Sequence, residues 1–236
     1  MTAVSLNEQA RRVAASIDHT LLRADATHAD VVSLCEQARA YGFATVCVNP
    51  CFVSLAAAQL EGSGVGVCTV VGFPLGANLA EAKAFEARMA LGAGATELDM
   101  VMSIASAKEE AWSLLEEDIR AVVAAAARAR TANGIEAPVK VILECCLLGD
   151  FEKARACESA SAAGAAYVKT STGFSHGGAT CEDVRLLSEA SGENVRVKAS
   201  GGIRTAADAL AMLEAGADRL GASASVTIVR ELGSDV

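Results

Sequence analysis

The feature that most narrows the fold of this chain is an alternation repeated eight times. A short β-branched or apolar run is followed by a longer stretch, rich in alanine and leucine, with helical spacing. The strand-like runs are Ala15–Asp18, Ala44–Asn49, Gly66–Gly72, Glu97–Met102, Val139–Glu144, Tyr167–Thr172, Val195–Ser200 and Arg219–Ala222. Helical spacing fills Thr27–Tyr41, Cys51–Leu60, Ala80–Leu91, Ala107–Ala132, Asp150–Ala163, Cys181–Ser191 and Thr205–Glu214, with a short last helix after Ser223 and a small N-terminal one near Leu6–Val13. Strict alternation implies a parallel sheet, and eight units of this size imply closure into a (β/α)₈ TIM barrel behind a short N-terminal helix. A doubly wound open sheet is the competing α/β architecture. It calls for a Gly-x-Gly-x-x-Gly turn after the first strand, and none is present.

The 236 residues suffice for one barrel, so 1–236 reads as a single domain without linker or low-complexity tract. A net charge of −9 with no Lys/Arg block argues against nucleic acid and anionic membrane as partners. A single phosphate is different, because backbone N–H groups can hold it locally. The apolar run Ala121–Ala127 is too short to span a bilayer and is flanked by Arg120 and Arg128. No secretion signal opens the chain, which makes a soluble cytoplasmic protein the expectation. The eight cysteines contain no Cys-x-x-Cys pair and read as free, mostly buried thiols.

A TIM barrel carries its chemistry at the C-terminal ends of its strands and on the loops that follow. The polar residues there are Asp18, Asn49, Asp99, Glu144, Lys169, Lys198 and Ser223. Only six lysines occur in the chain, and three of them, Lys140, Lys169 and Lys198, fall inside neighbouring strands five, six and seven. Lysine is uncommon in strands and rarely buried without a partner. One such residue reads as a side chain reaching solvent, but three together suggest a use. A lysine attacks a carbonyl only as the neutral amine, and its ordinary pKa is about 10.4. Burial and a second cation both disfavour the charged form, and a drop of about three units corresponds to roughly 4 kcal/mol. Glu97 shares the inward face with Asp99, so Glu97 and Lys140 are expected to pair inside the barrel. His19, His28 and His176 lack metal-ligand spacing, and no metal or cofactor is expected. His19 reads as structural. Cys47 reads as buried and inert, unless it faces the mouth.

Four stretches in order carry a resemblance: Ile17-Asp-His-Thr-Leu-Leu22, Glu97-Leu-Asp-Met-Val101, Val168-Lys-Thr-Ser-Thr-Gly173 and Lys198-Ala-Ser-Gly-Gly-Ile-Arg204. With Val48-Asn49-Pro50 and Val71-Gly-Phe-Pro-Leu-Gly76, they resemble the deoxyribose-phosphate aldolases from about Ile17 to Ser225. That resemblance implies a metal-free class I aldolase. Such an enzyme cleaves 2-deoxyribose 5-phosphate to glyceraldehyde 3-phosphate and acetaldehyde in deoxyribonucleotide catabolism. It implies Lys169 as the Schiff-base lysine and Lys198 as the second lysine, which keeps Lys169 neutral and helps move protons. Asp99 is then the acid/base carboxylate and Asp18 its supporting carboxylate. Family members are often dimers, so a homodimer is the expected assembly.

Phosphate binding is expected at Gly201-Gly202 and Gly221-Ala222-Ser223, after strands seven and eight, where TIM barrels commonly hold it. Gly173, Thr172 and Thr20 complete the expected substrate contacts. Two departures stand out. Phe174 follows Gly173 where some family members have lysine, and the chain ends Gly-Ser-Asp-Val without the tyrosine that others carry. Two alternatives remain open at this point: another Schiff-base sugar-phosphate aldolase or a transaldolase, and a non-catalytic sugar-phosphate-binding barrel. The second would leave both lysines and both aspartates without a use.

Overall fold

A computed structural model describes residues 4–129 and 136–233. Eight parallel strands close into a barrel in sequence order, with β1 beside β8. They are β1 (Ile17–Leu21), β2 (Thr45–Val48), β3 (Gly66–Val71), β4 (Glu97–Val101), β5 (Val139–Ile142), β6 (Tyr167–Lys169), β7 (Arg196–Ser200) and β8 (Arg219–Ala222). Around them lie α1 (Glu8–Ala14), α2 (His28–Tyr41), α3 (Val53–Leu60), α4 (Ala80–Gly92), α5 (Ile104–Lys108), α6 (Trp112–Arg128), α7 (Asp150–Ala162), α8 (Cys181–Ala190), α9 (Ala206–Glu214) and α10 (Ser225–Glu231).

Local chemistry sets the helix ends. Thr27 and Thr205 start α2 and α9 with capping boxes completed by Asp30 and Asp208. Gly42 ends α2 in the left-handed conformation, at φ +69°. Where the sequence expectation differs from the structure, backbone hydrogen bonds give the reason. The first strand begins at Ile17 rather than Ala15, because the Ala15 N–H still closes α1 onto Arg11 O. The stretch expected as one helix over Ala107–Ala132 is two. Glu110, at φ +54°, breaks it between α5 and α6, and 130–132 lie outside the described residues. The stretch Cys51–Leu60 opens with a 3-10 turn at Pro50–Phe52 before α3. Strand five ends at Ile142 instead of Glu144, which takes φ +60°.

Burial divides into two unequal cores. The large one lies between the sheet's outer face and the helices, from Leu6 and Ile17 through Leu98, Leu115 and Val168 to Ile228. The small one is inside the barrel and consists of Leu22, Cys47, Cys68 and Val70, with Phe73 packed on it. Val101 and Ile142, also fully buried, follow Asp99 and Lys140 by two residues on β4 and β5 and so face inward as well. TIM-barrel interiors are ordinarily filled by Val, Ile and Leu layers. Here a cluster of charged side chains, Asp18, Asp99, Lys140, Lys169 and Lys198, occupies much of the interior instead and forms the candidate site. No helix among the described residues is long and apolar enough to cross a membrane. All eight cysteines are free thiols, and Cys47 is fully buried.

Candidate active site

Strand register brings the expected residues together. Asp99 on β4 lies opposite Lys140 on β5, Lys169 on β6 lies opposite Lys198 on β7, and Lys198 lies opposite Arg219 on β8. Alternation along each strand then turns all of them inward. The Asp99 carboxylate is the hub. Its Oδ2 accepts from Lys169 Nζ and Lys198 Nζ, both at 2.7 Å. Its Oδ1 accepts from Lys140 Nζ at 2.7 Å and from the Cys68 thiol at 3.1 Å. Lys198 Nζ also donates to Asp18 Oδ2. The expected Glu97–Lys140 pair forms inside the barrel, at 2.8 Å.

Charges buried this completely require mutual compensation. Burial by itself would raise the Asp99 pKa, but Lys140, Lys169 and Lys198 outweigh it and hold the carboxyl well below the usual range. Burial likewise opposes the ionised form of Asp18, and Lys198, Lys140 and Arg219 overcome it. The Lys198 ammonium is disfavoured by burial, yet Asp18 and Asp99 together raise its pKa. The sequence reading had Lys198 act on Lys169 as a nearby cation. The structure instead places the Asp99 carboxylate between them, in contact with both.

Above this cluster opens a cavity of about 550 Å³. Thr20, Thr172, Gly173, Gly201, Gly202, Gly221 and Ser223, the expected substrate contacts, all line it. Of the charged cluster, Lys169 alone reaches its wall, while Asp18, Asp99, Lys140 and Lys198 are fully buried beneath. Gly201 and Gly202 both have positive φ, at +87° and +82°, which disfavours side chains there. A Cβ on Gly178, which packs on this turn, would lie 2.4 Å from Gly201 O. Phe174 lines the cavity, packs edge-on against Phe73 and remains about half exposed.

Sequence reasoning missed three charged residues here. Arg23 and Arg204 both line the cavity, and Arg23 is already paired with Asp25 and Asp30, at 2.8 and 2.5 Å. Arg219 reaches under the cluster to Asp18 Oδ1, at 2.6 Å. An arginine opening a strand gives no local signal of this, because its partner is 201 residues away. His19 faces outward, with its ring nitrogens on Ser225 Oγ at 2.9 Å and Gln37 Oε1 at 2.8 Å, which supports its structural reading. Asn49 holds Leu22 O at 3.2 Å.

One group among the described residues, Cys47, Cys68 and Asp99, has potential metal-donor atoms within 4.8 Å of one another. A cation there would meet the ammonium groups of Lys140 and Lys169, both already bonded to the Asp99 carboxylate. Their positive charge makes this donor set a poor fit for a metal ion.

The DeoC/LacD family aldolase model matches residues 12–230. The chain is 56% identical over 217 residues to a deoxyribose-phosphate aldolase of Geobacillus sp. (strain WCH70), covering 92% of this chain and 94% of that protein. It is 55% identical over 214 residues to that of Bacillus subtilis (strain 168), covering 91% and 93%. Among solved structures, the tetrameric deoxyribose phosphate aldolase from Aeropyrum pernix superposes with a TM-score of 0.87 at 36% identity, covering 96% of this chain and 93% of that one.

Proposed function

Because the chain belongs to the DeoC/LacD family of aldolases and has deoxyribose-phosphate aldolase function, we propose that it works through an imine on Lys169, with Asp99, Lys198 and Asp18 handling protons. The observation that carries this reading is the position of Lys169. Its ammonium group is the one in the cluster that reaches the cavity, and it shares the Asp99 carboxylate with Lys198.

The chemistry follows from that arrangement. The Lys169 amine attacks the C1 aldehyde of open-chain 2-deoxyribose 5-phosphate, and loss of water gives a protonated imine. Acetaldehyde keeps two carbons, so the bond that breaks joins C2 to C3. The imine accepts that bond's electron pair and becomes an enamine. The C3 hydroxyl gives its proton, through water, to the relay of Asp99, Lys198 and Asp18, and glyceraldehyde 3-phosphate leaves. The enamine then takes a proton at C2, and water releases acetaldehyde. Asp99 touches both amines, so a proton leaving Lys169 can pass to it and on towards Lys198 and Asp18. Gly173, Gly201, Gly202, Gly221 and Ser223, with Thr20 and Thr172, serve as the sugar-phosphate contacts. Arg204 adds positive charge to the same wall.

Residues 1–236 act in this reading as one barrel domain. Eight free thiols support a reducing, cytoplasmic setting. Exposed Phe85 and Met89 on α4 and Leu114 on α6 support self-association as a homodimer.

The deciding experiment is borohydride trapping with acetaldehyde, followed by peptide mass mapping. An ethyl group is expected on Lys169 and on no other residue. Lys169→Ala should lose the adduct and lower kcat by on the order of 10³-fold or more, with an unchanged circular dichroism spectrum. An adduct on another lysine, or near-normal turnover in the folded variant, would remove Lys169 from the mechanism.

A further inference from the structure

The barrel interior contains more charge than the aldol steps use, and that charge closes into a ring. Asp99 bonds Lys140 at 2.7 Å, and Lys140 bonds Glu97 at 2.8 Å. Glu97 faces Arg219 at 3.5 Å, and Arg219 bonds Asp18 at 2.6 Å. Asp18 bonds Lys198, which returns to Asp99 at 2.7 Å. A cross-brace runs from Lys140 to Asp18 at 3.6 Å. Three cations alternate with three anions, so the ring is formally neutral. Lys169 is attached to it only through Asp99. With Lys169 protonated the assembly carries one surplus positive charge, and with Lys169 neutral it carries none.

Two members of the ring stand apart. Glu97 is the first residue of β4 and Arg219 the first of β8, which places both at the N-terminal floor of the parallel barrel. Neither lines the cavity. Beneath them Tyr167 OH lies 3.5 Å from Arg219 Nη2, and Arg196 covers the Tyr167 ring at 4.0 Å. The partners between floor and mouth are fully buried, so water screens little of the interaction. Asp18 and Asp99 are held below the carboxylate range by their cationic partners against burial, and Lys140 and Lys198 are raised by their anionic partners against burial. These four members therefore stay ionised across the neutral range.

We propose that Glu97 and Arg219 are positioning residues that set the protonation of Lys169 from the floor of the barrel, by fixing the net charge of the ring that holds Asp99. The inference rests on the reading of Lys169 as the imine-forming amine. Lys169 bonds Asp99, whose cluster also contains Asp18, Cys47, Cys68, Lys140 and Lys198, while Arg23 and Arg204 line the cavity above it. None of them changes in the variants below, so the sign of each effect follows from the charge removed. Loss of the Arg219 cation leaves the ring negative, which favours the proton on Lys169. Loss of the Glu97 anion leaves it positive, which disfavours that proton.

The test is the pH dependence of borohydride-trapped acetaldehyde adduct on Lys169 in the full-length protein. In Arg219→Met the pH of half-maximal trapping should rise by about one unit, and in Glu97→Gln it should fall by about one unit. In the double variant, whose charges balance again, it should return to within a few tenths of the parent value. A purely structural ring would lower stability without moving the two profiles in opposite directions. Unchanged profiles, or shifts of the same sign, overturn the proposal. One folded single variant suffices, because the direction of its shift is fixed in advance. Should neither fold, Glu97→Gln combined with Arg219→Lys keeps the cation and a side chain at both places. Its profile must move down, and failure to do so overturns the proposal. Absence of any Lys169 adduct in the unmutated protein is a different failure, that of the imine reading itself.

Discussion

Glu144 carries the clearest sign of local strain close to the cavity. It adopts φ +60°, ψ 63°, which side chains other than glycine's disfavour by about 1 kcal/mol or more. Its buried carboxylate accepts from both the N–H and the hydroxyl of Thr172. Thr172 Oγ1 in turn accepts from Phe174 N at 3.0 Å. Thr172, Gly173 and Phe174 all line the cavity, so Glu144 fixes the loop proposed to meet the phosphate. Glu144→Gln keeps the shape but replaces one acceptor oxygen with a donor that opposes Thr172. Losing about one charge-assisted hydrogen bond corresponds to roughly a tenfold change. KM for 2-deoxyribose 5-phosphate should rise by about that factor. Turnover of unphosphorylated 2-deoxyribose should change less than about twofold. Parallel steady-state kinetics on the two sugars decide it, and an equal loss on both would show that Glu144 acts on the reacting end instead.

Helices α4 and α6 meet over a buried ion pair that sequence reading did not reveal. Lys83 Nζ bonds Asp118 Oδ2 at 2.8 Å and Val101 O at 2.9 Å, and Asp118 accepts from Ser103 N at 2.9 Å. The pair thus ties two helices to the end of β4, just beyond Asp99. Burial lowers the Lys83 pKa and raises that of Asp118, against the attraction between them. Lys83→Met strands the Asp118 charge in the interior and should cost about 3–5 kcal/mol in urea unfolding. Lys83→Met with Asp118→Leu should cost less than that single change, since no lone charge remains. A single variant losing under about 1 kcal/mol would mean that water reaches Asp118. Which features the sequence revealed follows from the range of the physics behind each. Strand alternation turned Glu97, Asp99 and Lys140 to one side, so their pairing could be foreseen from adjacent strands. That Gly201, Gly202, Gly221 and Ser223 would line the cavity could be foreseen from their place after β7 and β8. Lys83 sits within a helix and looks like any surface lysine until α6, 35 residues later, packs against it. Arg219 meets Asp18 and Glu97 only when the barrel closes. Boundaries such as the break at Glu110 depend on single backbone angles that composition does not encode.

At the scale of the whole molecule, a barrel filled with ion pairs should respond to pH differently from one filled with Val and Leu. Asp18 and Asp99 have folded-state pKa values below their unfolded ones. Their stabilising contribution is therefore complete above the unfolded carboxylate value, about 3.9, and is lost as pH falls through the folded values. Lys140 and Lys198 have folded-state values above their unfolded ones. Their contribution is complete below about 10.4 and is lost as pH rises through the folded values. Buried His19, with a lowered pKa, loses its contribution as pH falls below about 6.5, and buried Cys35, Cys145 and Cys157, with raised values, lose theirs as pH rises past about 8.5, so together these shifts predict a plateau in unfolding free energy from about pH 7 to about pH 8. Below about pH 4, stability should fall by as much as about 1.4 kcal/mol per pH unit for each of the two carboxylates. The opposing influence is net charge. The chain is acidic, with a pI near 4.9, and self-repulsion grows as pH moves away from that value. Net charge is spread over the surface and screened by salt, whereas the ring is buried and screened far less. Urea unfolding in 0.15 M salt, followed from pH 3 to pH 10.5, separates the two effects. A flat middle region with a steep acid limb is expected. A maximum near the isoelectric point, followed by steady decline towards pH 8, would show that surface repulsion outweighs the ion pairs inside the barrel.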